Sequence, residues 1–253
     1  MEADGTLPGH TVYHPVDLEA VAPLPIVAWG EGTCMLPGDA YKELLSRIAS
    51  HGYLVVAGLE PGQAGTDSPE VMTAGIGWAV GENTREGSKY KGLLDPSQIA
   101  TSGHSCGGLI ALHVAATDPR VTSVLPINSG IFAAGTMGGA SKSDIAKLRS
   151  PAMWLNTGPS DIAHPQAVTD YAAVPDDVPA VFANYDLSER GNALTGAHMG
   201  TAFEPGGGEE GRVALIWLDL TLKSSEAARR ALLPPTCELC GAPKWAVEAK
   251  NWR

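Results

Sequence analysis

The chain has 253 residues, 44% of them hydrophobic and 18% charged, with 30 glycines, 19 prolines and a formal net charge of −11. The apolar content excludes a disordered chain, and the acidic balance argues against nucleic acid or an anionic membrane as the main partner, because both are drawn to clustered Lys and Arg. There is no run of about 18 apolar residues to span a membrane, and the length suits one large domain or two small ones.

The apolar run Pro25-Ile26-Val27-Ala28-Trp29 stops at Gly30 and predicts a buried strand. Tyr41, Leu44, Leu45, Ile48 and Ala49 then fall on one face of a helix that stops at His51-Gly52. Leu54-Val55-Val56-Ala57 is a second strand, and residues 69–80 a second helix followed by a polar stretch to Ser97. Residues 99–102 form a third strand, 107–116 a helix that starts on glycine, and 121–127 a fourth strand. A fifth strand at 152–156 leads to a helix at 165–173, where Pro165 suits the first turn. A sixth strand at 181–183 precedes a long helix at 212–222 and a shorter one at 225–232. Strands apolar throughout, alternating with helices, predict a single α/β domain over 1–253 with a mostly parallel sheet covered on both faces. Its core runs over about 11–223, with a C-terminal helix and tail at 224–253. No large lid is expected; the glycine-containing segment 126–150 (Gly130, Gly135, Gly138, Gly139) is the one candidate.

The sharpest motif is Gly103-His104-Ser105-Cys106-Gly107-Gly108, a G-x-S-x-G match set between a strand and a helix. A nucleophile on such a turn needs strained dihedrals, and glycine on both sides lets the backbone approach closely. The helix start that follows offers free N–H groups and a positive dipole end to a developing oxyanion. Ser105 is therefore the expected nucleophile. Serine is weak until a base takes its proton, and the chain order this motif implies is Ser, acid, His. His113 lies two turns into the helix and reads as structural. His198, in the Gly196-Ala197-His198 loop before the closing helix, is the expected base, with His164 the alternative. Asp161, just past the fifth strand, is the expected orienting acid, with Asp186 its competitor.

An oxyanion hole takes one amide from the residue after the nucleophile, Cys106, and one from the loop after the first predicted strand. In that loop, Gly30-Glu31-Gly32-Thr33-Cys34, Thr33 is the expected donor, with Gly32 and Cys34 the alternatives. Gly32, His104 and His164 are placed as substrate-binding residues. Trp29, Trp78 and Trp154 read as core. Cys34 and Cys106 both flank the nucleophile, as a disulfide that rigidifies the hole or as two buried thiols. Cys237 and Cys240 read as a short-loop disulfide tying down the tail, in line with an even cysteine count in an oxidising compartment; half a zinc site or a redox pair are the other readings.

These pieces together resemble the α/β-hydrolase superfamily, and within it the compact cutinase-like polyester hydrolases and the dienelactone hydrolase-like esterases. The resemblance covers about 25–222 and rests on the oxyanion loop, Ala49-Ser50-His51-Gly52-Tyr53-Leu54-Val55-Val56, the Ser105 elbow, Ser160-Asp161-Ile162-Ala163 and Gly196-Ala197-His198. It implies the Ser–His–Asp roles for Ser105, His198 and Asp161, and a C-terminal disulfide like that of the cutinase-like group fits Cys237 and Cys240. Cys106 stands where that group typically has Met, Ile127-Asn128-Ser129-Gly130 where it has a clamp Trp, and Ser105 where dienelactone hydrolases have Cys.

The function expected is hydrolysis of a small or polymeric carboxylic ester by two-step acyl transfer, with no metal or organic cofactor. A serine peptidase or acyltransferase on the same fold, a catalytically idle binding protein and a redox protein using Cys237 and Cys240 are the competing readings. A monomer is favoured. The start, Met1-Glu2-Ala3-Asp4-Gly5, has no basic then apolar region, so the favoured secreted location takes the chain as a mature form with an added start.

Overall fold

The computed structural model describes residues 1–133 and 137–252. Among them the apolar runs become strands of one sheet: β1 (His10–Tyr13), β2 (Leu24–Gly30), β3 (Leu54–Gly58), β4 (Leu94–His104), β5 (Ser123–Ile127), β6 (Ala152–Asn156), β7 (Ala180–Tyr185) and β8 (Trp245–Lys250). Their order is β1-β3-β2-β4-β5-β6-β7-β8. The inner strands run parallel, while β1 lies antiparallel on β3 and β8 antiparallel on β7. The helices are α1 (Lys42–Ser50), α2 (Pro69–Glu82), α3 (Cys106–Thr117), α4 (Lys142–Ile145), α5 (His164–Ala172), α6 (Gly208–Leu222) and α7 (Glu226–Leu232).

Why the strands read as continuous apolar runs is plain from the packing. Successive side chains point to opposite faces, and both faces are covered. Ile26 and Ala28 of β2 join a core with Met72 and Ile76 of α2 and Ile110 of α3, whereas Val27 and Trp29 join one with Leu44 of α1 and Trp217 of α6. Trp29 and Trp154 are core, as expected, and Trp78 is half-buried against the α2–α3 side. No helix among the described residues is long and apolar enough to cross a membrane.

Two strands escape the sequence reading. β1, His-Thr-Val-Tyr, is short and half polar, yet wholly buried, because the Thr11 hydroxyl donates to the Leu59 carbonyl at 2.9 Å and His10 Nε2 lies 2.9 Å from the Val71 carbonyl oxygen. β8 corrects the placement of 224–253 as a tail outside the core. It pairs along its whole length with β7, Trp245 is buried, and Trp252 sits edge-on to Trp217 at 6.0 Å. Cys237 and Cys240 are bonded to each other in the turn that leads into it. The described residues of the candidate lid segment carry Phe132, a 3-10 turn at Met137–Gly139 and α4, and Phe132 and Met137 line the crevice described below. Gly135, named with that segment, lies outside the described residues.

Candidate active site

The carboxyl ends of β2, β4, β6 and β7 open on one crevice, the position where parallel α/β sheets present their sites. β4 ends at His104, α3 begins at Cys106, and Ser105 between them has φ 54° and ψ −119°. A non-glycine residue there is strained, and the surroundings hold it. The Ser105 amide donates to the Ile127 carbonyl at 2.9 Å, and the Ser129 hydroxyl donates to the Ser105 carbonyl at 2.7 Å. The glycines after and before it are steric requirements: a Cβ on Gly107 would lie 1.9 Å from the Gly30 carbonyl oxygen, and one on Gly103 2.4 Å from the Gly107 carbonyl. The elbow is thereby pressed against the loop that follows β2.

The three residues named as nucleophile, base and acid meet. His198 Nε2 lies 2.9 Å from Ser105 Oγ, and His198 Nδ1 lies 2.7 Å from Asp161 Oδ1. Asp161 Oδ1 also accepts the Ala163 amide at 2.9 Å, and its Oδ2 lies 3.3 Å from the Thr157 hydroxyl oxygen. A carboxylate can only accept, so His198 Nδ1 carries a proton and Nε2 is left to accept from Ser105. Asp186, the competitor, is engaged instead with Ser188. His113 is structural: its Nδ1 lies 3.2 Å from Asp144.

Thr33 and Cys106 both line the cleft, and among the described residues neither amide donates to a protein acceptor. Cys34 is bonded to Cys106, with Cα atoms 5.3 Å apart. The bridge ties the loop bearing the Thr33 amide to the first residue of α3. Thr33 and Cys34 both have positive φ, 56° and 57°. Asp67 secures the same loop, its Oδ2 accepting the Glu31 amide at 2.7 Å and its own amide donating to the Cys34 carbonyl at 2.8 Å. Burial pushes the Asp67 carboxyl up to about 6. Burial, reinforced by Asp67, pushes the fully buried Glu31 well above the ordinary carboxyl range.

Three residues expected to touch substrate do not line the cleft. His164 heads α5 and faces a separate cavity with Tyr171, Phe182 and Asn184, because the turn after Asp161 carries it past the crevice. Gly32 is buried against Tyr41, whose hydroxyl a Cβ would meet at 2.2 Å. His104 is buried too, and supports the His198 loop instead. Its Nε2 lies 2.8 Å from the His198 carbonyl oxygen and its Nδ1 2.8 Å from the Tyr41 hydroxyl. Since a carbonyl only accepts, Nε2 carries the proton and Tyr41 donates to Nδ1. Burial, with His198 alongside, pushes His104 down to about 4, so this ring is neutral near pH 7.

The rest of that support was not legible beforehand. Asn128 Nδ2 donates to the His198 carbonyl at 3.1 Å and to Glu210 Oε1 at 2.7 Å, and the Thr157 hydroxyl donates to the Ala197 carbonyl at 2.6 Å. Glu210 Oε2 accepts the Thr201 amide, and Arg190 Nη1 donates to the Gly200 carbonyl at 2.7 Å. Asn128, directly after an apolar strand, carries a faint positional signal; Glu210 carries none, because acidic residues are ordinary in a first helical turn.

Burial pushes the Glu210 carboxyl up to about 7 against the lowering effect of its bonds from Thr201 and Asn128. Glu210→Gln is expected to cost about 1–3 kcal/mol of stability, because either amide orientation sets its NH2 against a donor, Asn128 Nδ2 or the Thr201 amide. The folded chain binds the Glu210 proton more tightly than the unfolded one. Its contribution is therefore full below pH 4.5, the ordinary value, and is lost as pH rises through about 7. Urea unfolding should show the gap between wild type and Glu210→Gln narrowing from pH 4.5 to pH 8. A gap constant with pH would rule this out.

The cleft, about 290 Å³, is mostly apolar: Leu109, Phe132, Met137, Ile162, Ala163 and Leu194 line it beside the polar Asn128 and Ser129, and no Asp, Glu, Lys or Arg is among its described walls. Comparison with protein-family models and with curated proteins finds no match for this chain. The sheet order and the flanking helices remain. The fold is compatible with that of the α/β-hydrolases.

Proposed function

We propose that the chain is a serine carboxylic ester hydrolase working by two-step acyl transfer. The observation that carries this reading is the run of contacts from Ser105 through His198 to Asp161 at an apolar cleft. His198 Nε2 takes the Ser105 proton as Oγ attacks the ester carbonyl, and the Cys106 and Thr33 amides receive the oxyanion. The imidazolium, stabilised by Asp161, then protonates the departing alcohol. Water, deprotonated by the same nitrogen, releases the acid from the acyl-enzyme. His104 and Asn128 act through the His198 carbonyl as positioning residues.

A cutinase-like preference for bulky or polymeric esters draws support from the cleft walls, where Phe132, Met137, Ile162 and Leu194 are exposed apolar side chains. Such a concentration of exposed apolar surface marks an interaction site. The two disulfides support residence in an oxidising compartment, hence secretion. Incubation with a fluorophosphonate tests the reading: p-nitrophenyl butyrate hydrolysis should be lost as a single adduct appears on Ser105 by peptide mass spectrometry. Inactivation without a Ser105 adduct, or labelling only elsewhere, would overturn it.

A further inference from the structure

A second, smaller cavity of about 90 Å³ adjoins the cleft, walled by Leu109, Ile131, Phe132, Met137 and Ala140. Leu109, Phe132 and Met137 line both spaces, so they form the partition between them. Every described wall of the second cavity is apolar. Leu109 is fixed, buried one turn into α3. Phe132 and Met137 are 39% and 61% exposed, so little packing holds them where they stand. The turn that carries Met137 is itself seated firmly. Gly138 and Gly139 have positive φ, and a Cβ on Gly138 would lie 2.9 Å from the Cys106 carbonyl oxygen and from Leu109 Cβ. The partition is therefore two adjustable side chains on a backbone packed against the nucleophile's helix.

Resting on the hydrolase reading, we infer that the second cavity takes the distal end of a linear, uncharged acyl chain. The chain runs from the Ser105 acyl carbon over Leu109 and between Phe132 and Met137, with Ala140, Ile131 and Met137 bounding the space that its end can fill. Acyl rather than alcohol follows from the chemistry. His198 Nε2 must protonate the departing alcohol, so the alcohol lies towards the His198 and Asp161 loops, where Ile162, Ala163 and Leu194 form the wall. The wall on the α3 side is left for the acyl group. Two features argue for a hydrocarbon: no charged side chain is among the described walls of the route, and an apolar cavity is filled favourably only by apolar groups. Each methylene buried there raises kcat/KM by about fourfold until the cavity is full.

The test is a series of p-nitrophenyl esters from acetate to dodecanoate, set beside acetate esters of alcohols of matching length. The proteins are the wild type, Ala140→Phe, which fills the second cavity, and Met137→Ala, which widens the partition. Ala140→Phe should lower the decanoate-to-acetate ratio of kcat/KM at least tenfold, and Met137→Ala should move the optimum to longer acyl chains. Neither should change the preference among alcohols. Parallel acyl profiles for all three proteins, or a change confined to alcohol length, would overturn the inference. If Ala140→Phe fails to fold, Met137→Ala alone decides it. Calorimetric binding of decanoate and butyrate to Ser105→Ala separates this inference from the reading beneath it. Absence of ester turnover with decanoate binding that Ala140→Phe abolishes would sink the hydrolase and keep the cavity. Turnover without any binding preference for decanoate over butyrate would do the reverse.

Discussion

Ser105→Ala should lower kcat for p-nitrophenyl butyrate by about six orders of magnitude, leaving a residue of activity over water that the oxyanion amides supply. His198→Ala should cost as much, and the double variant scarcely more, because nucleophile and base act as one unit. The 2.9 Å and 2.7 Å contacts through His198 are the geometry that makes them one. Asp161→Asn is the informative milder change. Asp161 Oδ1 accepts both His198 Nδ1 and the Ala163 amide, and these two donors favour an Asn carbonyl in the same place. The His198 tautomer is then kept and only the negative charge is lost. The fall in kcat should stay below the roughly 10⁴-fold loss that follows when the tautomer is inverted. Steady-state kinetics on the purified variants check all of this. Ser105→Ala retaining wild-type turnover would end the hydrolase reading, and Asp161→Asn falling further than Asp161→Ala would show that the amide turns its NH2 towards His198.

Unlinking Cys34 from Cys106 is the second change expected to be large. The bridge joins residues 72 apart in sequence, and its removal should cost about 4 kcal/mol from loop closure alone. For a chain of this size that is a fall in Tm of roughly 10 °C. Activity should suffer separately. Thr33 sits at positive φ beside the bridge. Without the tie to Cys106 the loop is left to hydrogen bonds such as those of Asp67, so the Thr33 amide is expected to lose its place opposite Cys106. Loss of one oxyanion donor costs about 10²–10³ in kcat, so Cys34→Ala/Cys106→Ala should lose about that much well below its Tm. Cys106 is 2% exposed, which makes the double variant a cleaner test than added reductant. Cys237→Ser/Cys240→Ser is the control: its bridge spans a separation of 3, far from the cleft, and should cost about 2 kcal/mol with kcat intact. Equal kcat in the two double variants would show that the Cys34–Cys106 bridge serves stability alone.

The apolar runs from Ile26 to Val181 determined the parallel sheet, because strands covered on both faces need no polar alternation and so announce themselves. The turn chemistry around Ser105 determined the elbow, because close backbone approach leaves glycine as the only tolerable neighbour at Gly103 and Gly107. That His198 and Asp161 would meet Ser105 was likewise legible, since chain order and the ends of strands confine where such partners can sit. What the sequence could not show depends on contacts between residues far apart in the chain. His104 and Gly32 sit beside the key motifs in sequence yet face Tyr41 and not the cleft, while His164 is turned into a different cavity. Glu210 reaches the His198 loop only because α6 packs against the ends of the strands, and no local pattern marks a carboxyl destined for full burial. The tail after residue 223 joins the core through Ala228, Leu232, Leu233 and Leu239 and through the pairing of β8 with β7, contacts with residues far away in the chain that no preference of the six β8 residues announces.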